Sequence, residues 1–196
     1  GKSGAGFTVI EMLVTVAVIT FMASQILVSF SGLGQGVALN RAGQELARMI
    51  RSAQYMSITV AYARVPVAGI PTFLIPPAVG IRIDKATQQE TIFAERDDDP
   101  AFLIAGNPDG KYTNADEKIK IEKLPEGITI KRIIDQEGVD SYTVIHVLFF
   151  VPEAEIRITK GNGSPFPGNR AQIELINAAG NTRTITVHIT GQISVQ

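Results

Sequence analysis

Apolar and polar positions divide the chain into three parts. After Glu11 no charged residue occurs until Arg41, so Met12 to Asn40 is an uncharged and largely apolar run. A helix needs about 20 such residues to cross a bilayer, and residues 7–30 read as one that is apolar all round. Gly32, Gly34 and Gly36 follow, close to Ser29 and Ser31. Each glycine costs a helix interior roughly 0.8–1 kcal/mol against alanine, so the run is expected to be a weak point or a place of close helix packing.

From Val37 to about Ala63 the pattern turns amphipathic. Leu39, Leu46, Ile50, Ala53, Ser57 and Val60 recur at three- and four-residue steps, while Arg41, Glu45, Arg48 and Arg51 lie off that stripe. This half of a long helix is expected to pack on a sheet. Pro66, Pro71, Pro76 and Pro77 end any helix and are expected to open a loop-rich stretch.

Beyond them the period falls to two. Val79–Asp84, Ile119–Leu124 and Ile128–Ile130 alternate as half-buried strands do. Val144 to Val151 is a nearly continuous apolar run interrupted by His146, the pattern of a central buried strand. Ile173–Ile176 and Ile185–Ile189 flank Ala178-Ala179-Gly180-Asn181, a hairpin turn, and Gly191 breaks the final run before Ile193-Ser194-Val195. The fold class expected is α+β: a long N-terminal helix, with an apolar transmembrane half and an amphipathic half, packed on a mostly antiparallel β-sheet domain.

Composition narrows the chemistry. The 196 residues include no cysteine, which excludes disulfides, thiol catalysis and thiolate metal sites. A formal net charge of −1 offers no global attraction to nucleic acid or anionic lipid. After the first helix about 130 residues remain, enough for one domain with its own core.

The segment Gly6-Phe7-Thr8-Val9-Ile10-Glu11 carries the sharpest signal. An ionised carboxylate costs roughly 2.5–3.5 kcal/mol at mid-membrane, less near the interface, so Glu11 calls for a partner. An ordinary signal peptide has its charge before the apolar core and a small-residue cleavage site after it, which is not this order.

Gly-Phe-Thr-Val-Ile-Glu before an uninterrupted apolar run resembles the processing site of type IV pilins and type II secretion pseudopilins. The resemblance implies cleavage after Gly6 by a prepilin peptidase and N-methylation of Phe7. It makes Glu11 the fifth mature residue, the class's glutamate, which neutralises the amino terminus of a neighbouring subunit during assembly. Lys2 matches the short basic leader, read here as partial; the proline often found at the twenty-second mature position is replaced by Val28. The order Ile81–Asp84, Thr91–Ala94, an acidic glycine-containing loop, Ile128–Ile130 and the closing strand-Gly-strand is similar to H-type minor pseudopilins and T-type minor pilins. The implied division is residues 1–6 as leader, 7–36 as the transmembrane and assembly half of the helix, and 37–196 as the globular pilin-like domain.

The function so implied is a structural filament subunit, not an enzyme. Its partners would be other pilin or pseudopilin subunits, the prepilin peptidase, an inner-membrane assembly platform and membrane lipid. It would reside in the cytoplasmic membrane before assembly, and afterwards in a periplasmic pseudopilus or a surface pilus. The alternatives are a minor pilin that binds DNA and a membrane-anchored binding domain that never polymerises. Lys160, Arg170, Arg183 and Lys131-Arg132 are the cations a DNA face would use, but they are scattered among acids.

No cofactor is expected. One metal alternative is a calcium loop, with ligands at Asn107, Asp109 and Asp116 and Gly110 at the sharp turn. Ala105 stands where that motif needs an acid, and Asn-Pro and Asp-Gly are also ordinary turn signals, so an acidic turn is the simpler reading. His146 and His188 sit in apolar strand patterns and make no zinc signature.

Overall fold

A computed structural model describes residues 8–59, 63–67, 70–74, 76–95, 110–112, 117–151 and 155–196. It is an α+β fold in which one long helix runs into β-structure. Helix α1 spans Val9–Ile58, 50 residues without a break. Gly32, Gly34 and Gly36 lie inside it, so in the isolated chain the glycine run does not interrupt the helix. A Cβ at Gly34 or Gly36 would meet nothing within 4 Å, so close packing inside the subunit does not explain either glycine. The helix ends at Ile58, short of Ala63. The backbone N–H of Thr59 caps the last turn by donating to Tyr55 O at 3.0 Å, and a strand begins at Ala63.

The second half of α1 buries the expected stripe. Leu39, Leu46, Ile50, Ala53 and Ser57 are buried, joined by Ala42, Ala47 and Met49, while Arg41, Arg48 and Arg51 stay exposed. Val60, the last residue of the expected stripe, lies outside the described residues.

Among the described residues, three antiparallel sheets follow. Strands β1 (Ala63–Val67) and β2 (Ile70–Leu74) form a hairpin where the prolines suggested loop. Pro66 and Pro71 face each other in its register. A two-stranded ladder is all edge, and proline is tolerated on an edge because no second neighbour needs its missing N–H.

The second sheet has the order β5-β4-β3-β7-β8, built from β3 (Ala78–Asp84), β4 (Gln89–Ala94), β5 (Lys118–Lys123), β7 (Val144–Phe150) and β8 (Ile156–Lys160). The third has the order β11-β10-β9-β6, from β6 (Ile128–Ile134), β9 (Arg170–Asn177), β10 (Thr182–His188) and β11 (Ile193–Val195). The apolar run Val144–Phe150 is interior and buried, as its pattern predicts, though the middle strand is β3.

Helix α1 lies over both larger sheets, touching β3, β4 and β7 of one and β6, β9, β10 and β11 of the other. One hydrophobic core therefore joins helix and sheets, through residues such as Leu46, Ile50, Ile81, Val147, Ile173 and Val187. The far face of the five-stranded sheet carries a smaller cluster of Ala78, Phe93 and Leu148, partly covered by Tyr112. There Gly80 pairs with Phe93 across the ladder, and the ring occupies the space a side chain would need. A Cβ on Gly80 would come within 2.4 Å of the ring.

Polar side chains fasten the pieces. Asn177 accepts from Ala179 N and Asn181 N to shape the β9–β10 turn, and its Nδ2 donates to Gln35 O on α1 at 3.2 Å. Gln88, at φ +56° in the β3–β4 turn, accepts from Ile130 N at 2.6 Å and so ties the two larger sheets together.

Candidate functional site: an unpartnered apolar helix with a carboxylate in its first turn

The N-terminal half of α1 has no counterpart in its own fold. Val9–Ile26 is long and apolar enough to cross a membrane, with mean hydropathy 2.0 and 0% of the span buried. Leu13, Val16, Ile19, Phe21 and Met22 are all exposed. The same length and composition would also fit a signal sequence; position near the N-terminus alone does not distinguish the two.

Glu11 sits in the first turn of this helix. Thr8 is the N-cap, and its Oγ1 accepts from Glu11 N at 3.3 Å. Thr8-Val9-Ile10-Glu11 thus has the spacing of a capping box, a signal readable in the sequence that complements the resemblance. The first-turn carboxylate also meets the positive end of the helix dipole, worth roughly 0.3–1 kcal/mol at an exposed site. The Glu11 side chain is exposed and has no ion pair among the described residues. Thr15 and Thr20 turn their hydroxyls back onto Glu11 O and Val16 O at 2.7 and 2.8 Å, which satisfies them without water. Gly6 and Phe7 lie outside the described residues.

Asn107, Asp109 and Asp116 also lie outside them. Gly110 is described, at φ +76°, where glycine is favoured. Its N–H donates to Glu95 Oε1 at 3.2 Å, just past the end of β4, and its carbonyl accepts from Thr159 Oγ1 on β8, so both hold this end of the loop. Among the described residues no group of three His, Cys, Asp or Glu is placed to hold a metal ion.

The histidines belong to different sheets. His146 is buried on β7, with Nδ1 at 3.2 Å from Lys160 O, and His188 is the last residue of β10. The cations considered for DNA are largely engaged inside the fold. Lys131 Nζ and Arg132 Nε donate to buried Glu174 at 2.9 and 2.7 Å, Arg183 bonds Asn40 Oδ1, and Lys160 lies over the Tyr142 ring. Burial pushes the Glu174 carboxyl up, but the bonds from Lys131 and Arg132 outweigh it and hold the group below its ordinary range.

One group of residues escaped the sequence reading. Glu45, Glu90 and Glu122 meet where α1 passes β4 and β5. The signal was present: Glu90 falls in phase with Ile92, whose side chain enters the core, so a carboxylate occupies an inward position.

No protein-family model matches the chain, and no curated protein or solved structure matches it.

Proposed function

We propose that this chain is a pilin-like structural subunit, processed after Gly6, that assembles into a type IV pilus or type II secretion pseudopilus through its N-terminal helix. The observation that carries the reading is the helix: Val9–Ile26 is apolar and wholly unburied, yet continuous with a half seated firmly in the domain. Such a surface is covered by lipid before assembly and by neighbouring helices after it. Glu11, lacking a partner in its own chain among the described residues, is then paired by the methylated amino terminus of an adjacent subunit's Phe7. In a low-dielectric surrounding that attraction is far stronger than in water, so it can set register.

Glu11→Gln tests the reading, because it keeps the shape and removes the charge. Membrane insertion should persist, since neutralising an intramembrane carboxylate eases insertion. Cleavage should persist too, with mass spectrometry finding methylated Phe7 as the new N-terminus. The sheared-filament pool should fall at least about tenfold, as expected when one partner of a desolvated charge pair is removed. Equal pools would sink the pairing mechanism. A wild type that never leaves the membrane would favour an anchored domain, and a mature N-terminus beyond residue 20 would refute pilin-like processing.

A further inference from the structure

Glu90 on β4 and Glu122 on β5 are direct cross-strand partners, and Glu45 approaches them from α1. Like charges placed opposite each other weaken a ladder, so this arrangement needs a reason. Glu45 and Glu122 each have a cation beside them: Arg48 pairs with Glu45 at 3.0 Å and Lys120 with Glu122. Glu90 does not. Only 3% exposed, it lines a cavity of about 350 Å³ and has no hydrogen-bond or ion-pair partner for its side chain among the described residues. The Glu90 oxygens are not sealed inside the protein but border the cavity, where a cationic partner has room to enter and replace water.

The chemistry of the cavity selects the guest. No group of three acids among the described residues is placed to hold a metal ion, so a bare cation is poorly served. A planar guanidinium spreads its charge over five N–H donors and can reach several separated carboxylates at once. The chain carries a suitable group nearby. Arg41 is exposed on α1, four residues before Glu45, and makes no ion pair among the described residues.

We propose that the Glu45–Glu90–Glu122 cavity is a socket for the Arg41 guanidinium of a neighbouring copy of this chain. This rests on the filament reading and gives it a contact outside the membrane. Donor and socket adjoin on α1, where Glu45 borders both. The pairing proposed is head-to-tail, so each contact leaves a free donor on one copy and a free socket on the other, and repetition gives an open filament wherever the rotation does not close a ring. The charged groups lining the cavity with Glu90 are Glu45 from α1 and Glu122 and Lys123 from β5, and apolar Ile83 of β3 is its other cross-strand neighbour. Burial, then Glu122 and Glu45, raise the Glu90 pKa to about 8, so the empty socket holds a proton near neutrality. An entering guanidinium favours the ionised carboxylate and expels that proton, and docking strengthens as pH rises.

The absence of native cysteine permits a directional cross-linking test in membranes. Two differently tagged full-length copies are co-expressed, one with Gln44→Cys beside the donor and one with Lys123→Cys at the socket rim, and joined by a short bismaleimide. A mixed dimer is expected. Arg41→Gln in the Gln44→Cys copy, or Glu90→Gln with Glu122→Gln in the Lys123→Cys copy, should cut its yield about tenfold. The same substitutions placed in the opposite copies should leave the yield unchanged, which a general folding defect could not do. Yields that ignore the substitutions, or fall whichever copy carries them, overturn the socket. A melting-temperature rise with free arginine or calcium that is lost in Glu90→Gln, without cross-linking, assigns the cavity to a soluble cation and also overturns it. Sheared filaments without the cross-link overturn the socket alone; the cross-link without filaments overturns the filament reading alone.

Discussion

The two halves of α1 are one continuous helix in two different surroundings. Between Val9 and Ile26 no residue is buried, whereas between Leu39 and Ser57 a stripe of side chains is sealed against two sheets. Backbone hydrogen bonding is the same in both. What differs is angular distribution: apolar residues surround the first half and keep to one side in the second. A helix apolar all round calls for an apolar solvent or other helices, while a one-sided helix is completed by its own domain. The first half is thus unfinished as a structure and the second is finished, and function is sought in the unfinished one.

The comparison breaks most visibly in the core. Leu46→Ala should lower the stability of the detergent-solubilised protein by about 2–5 kcal/mol in chemical denaturation, because the residue is fully buried between helix and sheets. Leu13→Ala, on the uncovered half, should leave that stability within about 0.5 kcal/mol. Equal losses would mean that the N-terminal half is packed against the domain.

A second measurement concerns the flaw in the finished half. Glu90 titrates near 4.5 when unfolded and near 8 in the fold, raised by burial and then by Glu122 and Glu45. Between those values the folded chain holds a proton that the unfolded chain has released. Stability is therefore fully present below the lower value and is lost as pH rises through the window. The expected loss is on the order of 2–3 kcal/mol, allowing for relaxation around the site. Glu90→Gln should flatten the profile and melt higher than wild type at pH 8. A profile that rises from pH 5 to 8 in wild type and mutant alike would show that Glu90 is ionised throughout.

The smallest effect lies at the junction. Gly34→Ala and Gly36→Ala meet empty space, so each should stabilise the helix by up to about 1 kcal/mol, seen as slower amide exchange between residues 30 and 40. If the doubly substituted chain also assembles less well than wild type, the glycines serve the filament and not the subunit.

Much of the architecture was legible because burial leaves a period. Leu39, Leu46, Ile50 and Ala53 gave the seated face of the helix, alternation located β3, β5 and β6, a continuous apolar run located β7, and the turn at Ala178-Ala179-Gly180-Asn181 located β9 and β10. Pairing was not legible. Neither the β3–β7 nor the β6–β9 ladder joins strands adjacent in sequence, and local patterning carries no record of such partners, so two larger sheets were not distinguished from one. The prolines of β1 and β2 look like breakers in the sequence because their tolerance depends on edge position, itself a matter of pairing. At the candidate site the motif marked Glu11 and its neighbourhood. Glu45, Glu90 and Glu122 are too far apart in sequence to form one, and only the passage of α1 beside β4, with β5 paired to β4, joins them.

The unbroken helix also has a mechanical consequence. A load applied along its axis at the N-terminal end reaches the domain through the Leu39–Ser57 seat in shear, so many buried contacts resist together and none is peeled singly. The compliance is concentrated before the seat, in the three glycines between Gly32 and Gly36. A residue passing from helix to extended chain lengthens from about 1.5 to about 3.3 Å, so opening that five-residue stretch adds roughly 9 Å. Under tension the subunit would lengthen there first, giving a filament built from it a reserve of extension that leaves the domains folded.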